Sequence, residues 1–135
     1  MAGYSGKSLG KKLGLKANTL VFLSGMPHSI RKELSQELAD VRLIKKLGSE
    51  GIDFIHAFVS SADELNKNIS GWKKSMAKTG MLWISWPKKT SSISTDLSGD
   101  IVRETGLASG LVDVKVCAVD EDWSGHKFVF RTKDR

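Results

Sequence analysis

The residues best suited to binding a charged group lie in one short segment of the second half of the chain. Trp86 lies at the end of a predicted strand, and Lys88 and Lys89 follow it closely. Ser91 and neighbouring hydroxyl side chains come next, and a helix is expected to start near residue 95. Ammonium groups, hydroxyl donors and a helix N-terminus together favour a phosphate or a carboxylate. The alternative interpretation is that Trp86 packs in the core and both lysines are simply solvated.

Further candidates follow the ends of other predicted strands. In open α/β sheets, ligands bind beyond the carboxyl ends of the parallel strands, near the point where strand order reverses. Besides the segment around Lys88, the candidate ligand-binding residues at this edge are Ser24, Gly25, His28, Ser60, Ser61 and Asp120. We predict that any ligand site is drawn from these positions.

The sequence offers no set of side chains typical of a catalytic or metal centre. His28 has no obvious acid or nucleophile as a partner, His56 lies within a buried strand, and His126 is expected to face solvent. The acidic residues 120–122 supply too few ligands for a hard cation. Cys117 lies in an apolar strand and is expected to be buried and unreactive. We therefore predict no catalytic residue, no metal and no cofactor.

Alternating strands and helices are predicted to hold these residues. The predicted strands cover residues 19–23, 41–44, 52–59, 81–86, 111–119 and 127–131. The predicted helices cover residues 8–15, 29–38 and 97–107, with the clearest one running from a cap at Ser61 to Gly80. Ser61 and Glu64 have the capping-box spacing. An apolar ridge then follows on one face of this helix: Leu65, Ile69, Trp72 and Met76.

The order of the elements predicts the fold class. Strand–helix–strand alternation implies a mainly parallel sheet with helices on both faces. Ser124 and Gly125 predict a two-residue turn in a C-terminal antiparallel hairpin, which would place Asp122 opposite Lys127. The length of 135 residues is typical of a single domain. We predict one α/β domain over residues 1–135.

This order of elements resembles the methyltransferase variant of the Rossmann fold. The resemblance implies a glycine-rich turn after the first strand and an acidic residue after the second, which together hold S-adenosylmethionine. Here the turn contains one glycine, Gly25, and then Pro27, which has no N–H to donate. Lys45 and Lys46 end the second strand, and lysine cannot accept the hydrogen bonds of ribose hydroxyls. The scaffold is therefore expected to lack the turn that binds the cofactor.

Several short motifs also resemble a family of small bacterial proteins catalogued as a domain of unknown function. They are YSG at residues 4–6, KKLG at 11–14 after Leu9, WPKK at 86–89, TDL at 95–97, GLVDVKVCAVD at 110–120 and WSG at 123–125. This resemblance implies bacterial origin and a single domain, and it carries no established activity.

Composition limits the partners and the location. The formal net charge is +6, but the lysines occur as scattered pairs and the aromatic residues lie mostly inside apolar segments. Nucleic-acid binding is therefore not favoured, although the charge leaves it open. The single cysteine excludes an intrachain disulfide, and no apolar run is long enough to span a membrane. A cytoplasmic protein is expected, with a homodimer through an exposed strand edge left open.

Together these observations favour a non-catalytic module that binds a ligand or partner, with an anionic small molecule or a protein as its partner. The first alternative is a divergent S-adenosylmethionine-dependent methyltransferase, and the second is a nucleic-acid-binding module.

Overall fold

The computed structural model describes residues 8–48 and 51–135. The motif at residues 4–6 lies outside the described residues. The helices are α1 (Leu9–Leu13), α2 (His28–Glu33), α3 (Ser35–Ala39), α4 (Ala62–Ser75) and α5 (Gly99–Ala108). The strands are β1 (Leu20–Ser24), β2 (Arg42–Ile44), β3 (Ile52–Phe58), β4 (Met76–Pro87), β5 (Leu111–Ala118) and β6 (Trp123–Phe130).

These strands form one six-stranded sheet in the order β2-β1-β3-β4-β6-β5. The first four strands of this order pair in parallel, whereas β6 pairs antiparallel with both β4 and β5. The predicted fold class is thus confirmed: a mainly parallel α/β sheet that ends in an antiparallel hairpin.

Helices cover both faces of the sheet, as the apolar stripes predict. One face packs against Leu65, Ile69 and Trp72 of α4 and against Val102 of α5. The other face packs against α1, α2 and α3, whose buried side chains are Leu9, Leu13, Ile30 and Leu38. The two hydrophobic layers fix the orientation of the strands and therefore the direction of every loop at their carboxyl ends.

Helix α4 begins as predicted but ends earlier. The Ser61 hydroxyl accepts a hydrogen bond from the Glu64 N–H at 3.1 Å. The chain becomes extended at Met76, which starts β4, and Gly80 lies inside that strand rather than at the helix end. A side chain at Gly80 would place its Cβ 2.7 Å from the Ile52 carbonyl oxygen. Gly80 is therefore explained by close strand packing, and the prediction that it ends the helix is wrong.

The predicted helix over residues 29–38 is two shorter helices that meet at Leu34. Leu34 has φ −90° and ψ 7°, which interrupts the regular helix. Ile30, Leu34 and Leu38 are nevertheless all buried on the same side of the sheet. An apolar stripe specifies which residues face the core. One continuous helix and two shorter helices would both place these three residues there.

The C-terminal hairpin turns earlier than predicted. Ser124 and Gly125 lie within β6, opposite Ala118 and Cys117. A Cβ on Gly125 would lie 3.0 Å from the Val119 side chain and 3.1 Å from the Trp83 ring, so this glycine lies at a tight packing contact rather than in a turn.

The shifted turn changes the neighbours of two further residues. Lys127 lies opposite Lys115, so the predicted pairing with Asp122 is wrong. His126 is buried rather than solvent-facing, with 2% of its surface exposed. Cys117 is only half-buried, and burial raises the pKa of its thiol despite the nearby charges of Lys12 and Lys115.

Candidate functional site

The carboxyl ends of β1, β3 and β4 lie at one edge of the sheet. The chain runs from β1 to β2 on one side and reaches β3 on the other, so strand order reverses between β1 and β3. The crevice beyond such a reversal is where α/β sheets bind their ligands. Ser24 ends β1 and pairs with Ala57 of β3 at this crevice.

The crevice between β1 and β3 is tightly packed. Gly25 has φ +67°, and a Cβ there would lie 2.9 Å from the Phe58 carbonyl oxygen. The Phe58 ring packs edge-on against Trp123, with 5.1 Å between the ring centroids. Gly25 therefore packs closely against the end of β3, and its position leaves no room for a side chain.

His28 starts the six-residue helix α2 and is exposed. Pro27 precedes it and provides no side-chain cap. Ser24 thus ends β1 and His28 starts α2, with Gly25 in the loop between them, and none of the three lines the cavity that contains Lys88.

Ser60 and Ser61 position the loop that precedes α4. Ser61 caps the helix, while the Ser60 N–H donates to Glu64 Oε1 at 3.2 Å. The Ser60 carbonyl accepts a hydrogen bond from the Thr95 hydroxyl at 2.6 Å. The Ser60 carbonyl thus holds this loop against the segment that follows β4, while Ser61 caps α4.

Asp120 organises the turn between β5 and β6. Its Oδ1 accepts hydrogen bonds from the N–H groups of Asp122 and Trp123, at 2.8 and 2.9 Å. The Asp122 carbonyl in turn accepts from the Lys88 N–H at 2.8 Å. Asp120 therefore supports the position of the Lys88 backbone through the turn.

A cavity of about 630 Å³ lies beyond the end of β4 and is lined by residues 86–89 and 91–99. We call it the loop cavity. It brings together four predicted site residues: Trp86, Lys88, Lys89 and Ser91. Trp86 is buried and forms part of the wall, whereas Lys89 is exposed at the mouth. The other predicted site residues do not line the loop cavity.

The charge of the loop cavity is positive. No ion pair within residues 8–48 and 51–135 involves Lys88 or Lys89. The one carboxylate in the lining, Asp96, accepts the Ala62 N–H at 2.8 Å and so caps the start of α4. Helix α5 begins at Gly99, in the cavity wall, with its capping Ser98. First-turn N–H groups and two ammonium groups together suit a small anion.

The described lining has hydroxyl groups but neither histidine nor cysteine. Its polar side chains are serines, one threonine, two lysines and Asp96. This described wall therefore contains no serine–histidine or cysteine–histidine pair of the kind that activates a nucleophile, and its lysines and hydroxyls are groups that can bind an anion.

A serine–histidine pair does occur, but it is sealed in the core. His56 Nε2 lies 2.7 Å from Ser85 Oγ, and neither residue is exposed. The His56 ring stacks on Phe58 with 4.4 Å between centroids. Burial lowers the pKa of His56 to about 3, so the ring is neutral at physiological pH. The pair is inaccessible to a substrate. A neighbour satisfies the His56 ring only at Nε2, because Nδ1 is buried and has no hydrogen-bond partner among the described residues.

A second histidine cluster was not predicted from the sequence. His126 Nε2 lies 3.3 Å from Asp113 Oδ2, which also accepts from Arg103 Nε at 3.1 Å. Burial lowers the pKa of His126, although Asp113 opposes this shift. The sequence signal that would have located it is Asp120, whose side chain fixes the turn early and so buries His126.

The described residues contain no group of three or more histidine, cysteine, aspartate or glutamate side chains placed to hold a metal ion. Within residues 8–48 and 51–135, no helix has both the length and the apolar character that a membrane crossing requires.

Comparison with solved structures gives the same fold. A methyltransferase from Aquifex aeolicus, described as dependent on S-adenosylmethionine, matches with a TM-score of 0.62 and 15% identity, covering 87% of this chain and 85% of that one. Magnesium protoporphyrin IX methyltransferase from Synechocystis PCC 6803, with bound SAH (S-adenosylhomocysteine), matches with a TM-score of 0.60 and 11% identity. The match covers 91% of this chain and 78% of that one. A DhpI–SAH complex matches at 0.63 and 10% identity, covering 98% and 86%. Identities this low show the shared methyltransferase-like Rossmann fold and nothing further.

No curated protein matches the chain at a significant level. A family described as "Protein of unknown function (DUF3052)" matches residues 10–132. The chain belongs to this family, which confirms the resemblance drawn from the motifs.

Proposed function

We propose that this protein is a non-catalytic module that binds a small anionic ligand, a phosphate or carboxylate compound, in the loop cavity. The observation that carries the proposal is the cavity itself, where Lys88 and Lys89 meet hydroxyl side chains and the start of α5. The two lysines can donate charge-assisted hydrogen bonds to an anion, which are about twice as strong as hydrogen bonds between neutral groups.

The proposal is supported by the turn after β1, which has one glycine, Gly25, and then Pro27, where the methyltransferase resemblance implies several glycines. Lys45 and Lys46, both exposed, follow β2 and cannot accept hydrogen bonds from ribose hydroxyls. These features favour a scaffold that binds something other than the cofactor.

The test is a titration with inorganic phosphate, followed by calorimetry or amide chemical shifts. Replacing both cavity lysines, Lys88→Ala with Lys89→Ala, should weaken binding at least about tenfold. The matched control, Lys45→Ala with Lys46→Ala, removes the same charge from an exposed pair outside the cavity and should change affinity little. Equal weakening in both variants would mean that the overall charge, and not the cavity, attracts phosphate.

A divergent methyltransferase is the second candidate, favoured by the fold shared with enzymes whose structures hold SAH. Cofactor binding distinguishes the two candidates, because a methyltransferase must bind S-adenosylmethionine or its demethylated product. Nucleic-acid binding, the third candidate, would instead show an affinity that falls steeply with salt.

We also propose that the protein is a bacterial, cytoplasmic protein in which the α/β sheet is the single domain. The family motifs support the bacterial origin, and the lone Cys117 fits a reducing compartment. The six strands between Leu20 and Phe130 all belong to one sheet, which supports a single domain.

A further inference from the structure

A second cavity, of about 760 Å³, lies at the opposite edge of the sheet. It is enclosed by the last turn of α4, the start of β4, the end of α5 and the end of β6. We call it the lysine-rimmed cavity and define it by Ile69, Lys73, Lys74, Met76, Lys78 and Phe130. Ligands of α/β sheets are expected at the other edge, so the fold does not account for this cavity.

The floor of the lysine-rimmed cavity is apolar. Ile69, Met76 and Phe130 are 7%, 5% and 5% exposed and belong to the core layer beneath α4. Their side chains form a surface continuous with the core, against which an apolar group could pack. A bare phosphate would leave this floor uncovered, so the floor favours a ligand that has an apolar body.

The rim is cationic and held in place. Lys73 Nζ donates to the Ser109 carbonyl at 2.6 Å, which anchors the end of α5 to α4. Lys78 Nζ lies 4.6 Å from the centroid of the Phe130 ring, over its face. Lys74 is exposed, and no ion pair within residues 8–48 and 51–135 involves any of the three lysines.

Among the residues that the structure describes, the three positive charges exceed the negative charge near them. The C-terminal ends of α4 and α5 contribute about half a negative charge each. Asp134 is close enough for Lys73 to lower its pKa, but Arg131 lowers it more, through a 2.7 Å hydrogen bond from Nε. With Asp134 paired in this way, an excess of positive charge remains at the rim.

We infer that the lysine-rimmed cavity binds a small amphipathic anion, with its apolar body on the floor and a single anionic head at Lys74 and Lys78. The volume lies within the range of about 300–1,000 Å³ for small-molecule sites. An apolar body needs the floor, and an anionic head needs the rim, so neither feature alone specifies this class of ligand.

The first test compares three probes by calorimetry: decanoate, octanoate and the neutral decanol. Decanoate should bind about fifteenfold tighter than octanoate, because each buried methylene is worth about fourfold in affinity. Decanol should bind at least about tenfold more weakly than decanoate, because it lacks the charge. Amide signals of residues 76–78 and 109 should shift with decanoate. No saturable binding, or equal binding of decanol and decanoate, would overturn the inference.

The second test uses variants of the full chain. Lys74→Glu with Lys78→Glu should weaken decanoate binding at least about tenfold. Lys16→Glu with Lys32→Glu, an equal charge change at exposed residues on other elements, should leave it unchanged. Ala77 also lines the cavity, and Ala77→Phe should abolish binding by filling it. Thermal unfolding checks that each variant is folded, and unaltered affinity in folded Ala77→Phe would refute the site.

These tests are independent of the proposed function. Phosphate binding at the loop cavity should be the same in Ala77→Phe as in the unmodified chain. Loss of phosphate binding in that variant would show that the two cavities are not separate sites.

Discussion

His56 should make the protein less stable as the pH falls, because its ring is buried without a charged partner. Burial lowers its pKa from the ordinary value of 6.5 to about 3 in the folded state. The unfolded chain therefore binds a proton at a pH where the folded chain does not, and protonation favours unfolding. The contribution of the neutral His56 ring to the free energy of unfolding is fully present above pH 6.5. It is lost progressively between pH 6.5 and about 3.

The magnitude follows from the two pKa values. Between pH 7 and pH 5 the unfolded histidine becomes almost fully protonated while the folded one stays neutral. Linkage then gives a loss of about 2 kcal/mol in the free energy of unfolding from this residue. Such a loss is large against the ~5–15 kcal/mol typical of a folded domain.

The assay is urea unfolding at pH 7 and pH 5 for the unmodified chain and for His56→Leu with Ser85→Ala. The double variant removes both partners of the 2.7 Å hydrogen bond, so no buried polar group is left unpaired. The unmodified chain should lose about 2 kcal/mol more than the variant over this pH range. An identical loss in both proteins would refute the reasoning, since the variant keeps every other titratable group.

Three further predictions concern packing and reactivity. Trp72 is 3% exposed in the core beneath α4, and Trp72→Ala should lower the free energy of unfolding by ~3–5 kcal/mol. An equally stable variant would contradict the place of Trp72 in the core. Gly106→Ala should destabilise by about 1–3 kcal/mol, because its Cβ would overlap the Phe128 ring. Gly71→Ala, in the open middle of α4, is the matched control and should stabilise by up to ~1 kcal/mol; denaturant unfolding of both variants checks the pair. The Cys117 thiol should react with iodoacetamide more slowly than free cysteine at pH 8, and equal rates would contradict its raised pKa.

The sequence predicted the layers of the fold because apolar spacing reports burial directly. The α4 ridge and the stripe of Ile30, Leu34 and Leu38 lie on opposite faces of the sheet, as their periodicity requires. The same spacing contains no information on backbone continuity, which is why the break at Leu34 went unpredicted.

Glycine was the main source of error in the sequence interpretation. Gly80 suggests a helix end and Gly125 a hairpin turn, but both lie in strands. Neighbouring backbone leaves no room for a side chain at Gly80, and the contacts around Gly125 are tight. A single sequence does not distinguish a glycine required by φ from one required by contact. The error at Gly125 also hid the burial of His126.

The loop cavity was partly predictable because its lysines and hydroxyls are close together in sequence. By contrast, the roles of Ser60 and Asp96 depend on contacts between residues about 35 positions apart, as in the bond from Ala62 to Asp96. The lysine-rimmed cavity combines the ends of four elements, so no local pattern indicates it.

The central claim is that this methyltransferase-like scaffold binds a small anion rather than the cofactor. The most direct measurement is a thermal-shift titration with S-adenosylhomocysteine and, in parallel, with inorganic phosphate. A ligand at one hundred times its dissociation constant stabilises the folded chain by about 2.7 kcal/mol, which raises the melting temperature visibly. We predict a saturable shift with phosphate that Lys88→Ala with Lys89→Ala removes, and no shift with S-adenosylhomocysteine. A saturable shift with S-adenosylhomocysteine would contradict the account and identify the protein as a methyltransferase candidate.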